Sequence, residues 1–142
     1  MKKLDVQKYA EAFAIGAIFG GVLELYRKPD QKCFRHPDMS SLIPMFVCNI
    51  YGWTAVTITA ILDLTPRVPW ALKLPALLIV ATLLEGNAGY LSKSYFDKKT
   101  WQYEPQFIPA FDNYTSVGTA AFFLLAICGF SFGVYEPYLS KL

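Results

Sequence analysis

The residues most able to do chemistry in this chain are the few ionisable side chains that interrupt its apolar stretches. Glu11, Glu24, Lys73 and Glu85 are the charges that fall inside such stretches. Glu24 and Glu85 are the notable pair, each lying toward the C-terminal end of an apolar run. A carboxylate in a helix bundle surrounded by lipid can act as a proton- or cation-responsive site. Desolvation opposes its ionisation, and a second nearby carboxylate adds to that effect. Placed against a lipid-like substrate, it could instead serve as a general acid or base. In the plainest reading it hydrogen-bonds a neighbouring helix or reaches out to the membrane surface. Asn87 and Tyr90 follow Glu85 closely and join it as candidate ligand- or proton-site residues. Glu11, near the start of its run, is expected at the membrane interface.

The residues around the two glutamates give each a face. Gly16, Gly20 and Glu24 are spaced four apart, as are Ala81, Glu85 and Gly89. On a helix, that spacing forms one stripe. Small residues let helices approach closely in lipid, so Gly16, Gly20 and Gly89 are expected to be packing positions. The carboxylates are then aimed at other helices rather than at hydrocarbon.

The elements that must hold these residues follow from the charge map. The chain has 142 residues, 54% hydrophobic and 17% charged. A soluble domain typically carries about 25% charged residues. The remaining charges lie in the ends and connections, leaving four apolar stretches at about 9–26, 42–62, 71–90 and 117–135. Each is long enough, as a helix, to cross a hydrocarbon core of about 30 Å. The stretches at 42–62 and 117–135 contain no charge at all, whereas a soluble helix keeps a polar stripe. Barrel strands are shorter and alternate polar with apolar. The expectation is an all-α integral membrane four-helix bundle, with residues 1–142 forming one transmembrane domain. The first stretch is too long for a signal-peptide core, so it is expected to be retained as a helix. Both halves of the chain read helix, polar loop, helix, which suggests a weak parallel repeat.

Composition excludes several classes. Disordered chains are poor in apolar and aromatic residues, and this chain is 16% aromatic. A net charge of +2 with no basic stripe argues against nucleic acid as a partner. Cys33, Cys48, Cys128 and the single His36 show no metal-ligand spacing, so neither a metal nor a cofactor is expected. The long connection 91–116 interleaves aromatic residues with Lys, Asp and two prolines. Trp101, Tyr103, Phe107 and Phe111 are expected to lie at headgroup depth, as an interface belt or a lid over the bundle. Ser116 is among several residues suited to cap the last helix.

Several local patterns also occur together. Leu23-Glu24-Leu25 closes the first helix, and Ile50-Tyr51-Gly52 lies in the second. Glu85-x3-Gly89-Tyr90-Leu91 closes the third, Trp101-x-Tyr103 follows in the loop, and Gly118 opens the fourth. In order and spacing this set, spanning about residues 10–135, resembles the bacterial putative ABC-transporter type IV membrane family and its eukaryotic transmembrane protein 229 relatives. The resemblance implies a compact four-helix membrane protein. An ABC role would require a separate ATPase, because the chain has no G-x4-G-K-[ST] loop.

The expected role is an accessory or structural subunit of a larger multi-pass membrane assembly, with the bilayer, other subunits or further copies of itself as partners. The alternatives are a small-molecule, ion or lipid-like transporter using Glu85 and Glu24, and a membrane enzyme acting on an apolar substrate. The scattered acids and lone histidine form no catalytic constellation, so a non-enzymatic role is favoured.

Overall fold

The computed structural model describes residues 5–27, 49–96, 108–110 and 115–142. Among them are four α-helices: α1 (Val6–Arg27), α2 (Ile50–Leu64), α3 (Trp70–Phe96) and α4 (Val117–Phe130). The all-α expectation therefore holds. Two short additions appear. Pro109–Ala110 (β1) pairs antiparallel with Thr115–Ser116 (β2) just before α4. A π turn at Ser131–Tyr135 then prolongs α4, followed by a 3-10 turn at Leu139–Lys141.

The bounds of each helix have local causes. At the start of α4, the Ser116 hydroxyl accepts the Thr119 amide at 3.1 Å and so caps one of the orphan first-turn donors. The α2–α3 connection is held by the Thr65 amide on the Ile61 carbonyl at 2.9 Å and by the Lys73 amide on the Pro69 carbonyl at 3.1 Å. Pro75 is the sixth residue of α3, so the helix lacks the bond that an amide there would make to the Ala71 carbonyl and still continues past it. With no further proline before Pro105, α3 continues beyond residue 90, through Phe96. The stretch 42–48 and the loop residues Trp101, Tyr103, Phe107 and Phe111 lie outside the described residues.

Consecutive helices pack on one another: α1 on α2, α2 on α3, and α3 on α4. One core joins the last three. Ile58 and Leu62 of α2 meet Leu77 and Ala81 of α3 and Ile127 of α4, with Trp70, Phe123, Phe130 and Tyr135 packed around them. The α1–α2 contact is made differently, by glycines. A Cβ on Gly16 would stand 2.5 Å from the Ala55 Cβ, and one on Gly20 would overlap the Tyr51 ring. In return, Gly52 of α2 leaves room for the Phe13 ring, which a Cβ there would meet at 2.8 Å. The stripe of small residues thus places the two backbones close together.

Two elements are long and apolar enough to cross a membrane, by length and composition: Trp70–Leu91 of α3 (22 residues) and Val117–Tyr135 (19 residues). α2 is apolar and shorter within the described residues.

Candidate functional site

Two polar features stand out in this apolar frame, at different depths. The first is Glu85. It occupies the buried stripe of α3 together with Ala81 and Gly89, and only 6% of its surface is exposed. Glu85 forms part of the wall of a cavity of about 70 Å³ where the four helices converge. Gly16 and Phe19 come from α1; Tyr51, Thr54 and Ala55 from α2; Ala81 and Glu85 from α3; Phe123, Ile127 and Phe130 from α4. Glu85 lies fifteen positions beyond Trp70, about 22 Å along the helix at 1.5 Å per residue.

The other sequence candidates separate from Glu85. Asn87 is exposed, and its side-chain amide donates to the Leu83 carbonyl of its own helix at 2.8 Å. Tyr90 is also exposed. Neither lines the cavity. Glu24 lies in α1 near its C-terminal end, and its side chain is outside the described residues. Of the proposed packing glycines, Gly16 and Gly20 face α2 and Gly89 is buried.

The second feature lies at the other end of the bundle and centres on Asp63. The Lys8 ammonium forms an ion pair with its Oδ1 at 2.8 Å. Tyr135 donates to the same oxygen at 2.6 Å, and Tyr9 donates to Oδ2 at 3.2 Å. Lys8 also lies 5.5 Å from the centre of the Tyr135 ring. Nearby, Glu11 accepts hydrogen bonds from Gln7, at 2.8 Å, and from Tyr138. Helices α1 and α2 and the tail of α4 are therefore tied together at one end. Burial pushes the Asp63 carboxyl up, but the bonds from Lys8, Tyr135 and Tyr9 outweigh it and hold the group below its ordinary value. Tyr138 is pushed up, chiefly by its bond to Glu11.

Sequence reasoning did not find the Asp63 cluster. The available signal was slight: a carboxylate directly after the uncharged stretch 42–62, with a lysine and tyrosines near the two chain ends. Lys73 is likewise buried, with its ammonium 5.0 Å from the centre of the Trp70 ring. Cys128 is half-buried in α4, and no group of three or more metal-ligating residues occurs among the described residues.

Fold and site together define a small helical protein with candidate membrane spans and an internal carboxylate. The chain belongs to the family described as Putative ABC-transporter type IV, which it matches over residues 11–142. No curated protein and no solved structure matches it.

Proposed function

We propose that this protein is a small multi-pass membrane subunit that works within a larger membrane assembly and has no catalytic chemistry of its own. The observation that carries this reading is the outward apolar surface of its two long helices. Only 28% of the α3 span and 17% of the α4 span are buried inside the chain. In water such surface would be a liability, whereas in a bilayer it faces lipid or neighbouring subunits. The side-chain hydrogen bonds support the same setting. Thr57, Thr59 and Thr82 each donate to the carbonyl four residues earlier, so these three hydroxyls are satisfied within their own helices, as a bilayer favours. All four apolar stretches act as spans in this reading. The polar cluster around Asp63 marks one membrane surface, and Glu85 lies toward the other.

The family description adds the class of assembly. The membrane part of an ABC transporter requires a separate ATPase, and this chain has no phosphate-binding loop of its own. Purification from its native membrane in mild detergent tests the reading. Co-elution with a larger complex that includes an ATPase supports the transporter assembly, and co-elution with other membrane proteins supports an accessory role elsewhere. Recovery as a folded, lone monomer under conditions that preserve known complexes counts against both.

A further inference from the structure

The cavity beside Glu85 has a particular chemistry. Its described wall carries one carboxylate, one phenol (Tyr51) and one hydroxyl (Thr54), and is otherwise apolar and aromatic. We propose that it is a binding site for a small organic ammonium group, with Glu85 as the counter-charge and Phe123, Phe130 and Tyr51 among the walls.

Three considerations select this ligand class. The first is charge: a carboxylate that is 94% buried favours a cation, and a low-dielectric wall strengthens the attraction. The second is the nature of the cation. Calcium takes six to eight oxygen ligands, and magnesium keeps an octahedral shell of oxygens and waters. A wall of rings and methyl groups does not provide such a shell. An alkylammonium needs fewer polar partners, and its charge is attracted to aromatic faces. The third is size. About 70 Å³ is several times the ~10–15 Å³ of cavity space that one water needs, which leaves room for a headgroup of a few heavy atoms, such as methylammonium. In the membrane reading proposed above, the cavity lies toward one membrane surface. Glu85 is six positions from Leu91, where the apolar stretch ends, roughly 9 Å of helix. Phe19, which lines the cavity, is exposed.

The proposal is tested by equilibrium dialysis of labelled methylammonium against the full chain in non-ionic detergent. Saturable binding of one ligand per chain is expected. Glu85→Gln should weaken it at least tenfold, and sodium or potassium at equal concentration should leave it in place. Ala81→Leu fills the cavity without touching the charge and should also abolish binding. If Glu85→Gln does not fold, Ala81→Leu and Phe123→Leu decide the matter. The absence of saturable binding, unchanged affinity in folded Glu85→Gln, or equal displacement by sodium would overturn the site. Repeating the measurement in nanodiscs distinguishes the natural source. Displacement by phosphatidylethanolamine but not by phosphatidylglycerol assigns the ammonium to a lipid headgroup, and displacement by neither assigns it to a free amine. Both results keep the site. Because the isolated chain is used, the outcome is independent of whether the protein has partner subunits.

Discussion

Tyr135 donates a 2.6 Å hydrogen bond to Asp63 across 72 positions of sequence. The bond depends on the π turn at Ser131–Tyr135, in which the Glu136 amide reaches back to the Ser131 carbonyl at 2.9 Å. The widened turn holds one extra residue, so the side chains that follow are shifted by about 100° relative to a continuous α-helix. Tyr135 then meets Asp63, and Tyr138 meets Glu11. Lys8 completes the junction from α1. The end of the chain is thereby fastened to its beginning and to the α2–α3 turn.

Asp63→Asn and Tyr135→Phe are therefore expected to destabilise the protein. Hydrogen bonds to charged groups contribute about 1.5–3 kcal/mol. Tyr135→Phe, which removes one such bond from a partly buried carboxylate, should cost about 1–2 kcal/mol. Asp63→Asn also leaves the buried Lys8 without its ion pair, and should cost about 2–3 kcal/mol. Unfolding titrations in mixed micelles measure both. A Lys8→Met/Asp63→Asn double mutant should lose less than the sum of the two single changes, because each removes the same contact. Strict additivity would mean that the ion pair contributes nothing.

The same junction sets an acid limit. The folded-state carboxyl of Asp63 lies below its ordinary value, so its stabilising contribution is present above the unfolded value, near 3.9, and is lost as pH falls through the folded value. Thermal midpoints in detergent should decline as pH drops below about 4 in the natural protein. The decline should be smaller in Asp63→Asn, which has no proton to take up at that position. Parallel curves for the two proteins would place the acid sensitivity elsewhere.

The sequence disclosed these features unequally. Glu85 was visible because a charge inside an apolar run is conspicuous whatever surrounds it. The Gly16–Gly20 stripe was visible as well, since a four-residue spacing is a property of the helix alone. The partner of that stripe, Tyr51 and Ala55 of α2, was not, because periodicity describes one helix at a time. Asn87 and Tyr90 show the converse. They are close to Glu85 in sequence, but positions two and five residues along a helix point to other faces, and both are exposed. Asp63 with Lys8 and Tyr135 required knowledge of which helix ends meet, and the phase shift of a π turn leaves no periodic mark.

The glycines give a contrast that needs no assumption about function. A Cβ at Gly20 would overlap the Tyr51 ring, and one at Gly16 would press on Ala55 and the Tyr51 carbonyl. Gly16→Ala and Gly20→Ala should each cost about 1–3 kcal/mol through overpacking. At Gly129, in the exposed part of α4, a Cβ would have no neighbour within 4 Å. Gly129→Ala should be neutral or stabilising by up to about 1 kcal/mol, as expected for a helix interior. Equal effects at Gly20 and Gly129 would mean that α1 and α2 do not pack at this distance.

Leu125 separates a membrane setting from an aqueous one. It is 72% exposed and lies near the middle of the Val117–Tyr135 span. On the surface of a protein in water, Leu125→Lys would change stability by less than about 0.5 kcal/mol. At the centre of a membrane helix, replacing leucine by lysine costs about 3–4 kcal/mol on insertion scales. Leu125→Lys is therefore expected to lower the fraction of chains inserted into microsomes or inner-membrane vesicles, as read by resistance to carbonate extraction. Val117→Lys, at the edge of the span and also exposed, should be tolerated, because its ammonium can reach the headgroups. If both variants insert as well as the natural chain, the outward face of α4 is not in contact with lipid hydrocarbon, and the membrane reading of that helix fails.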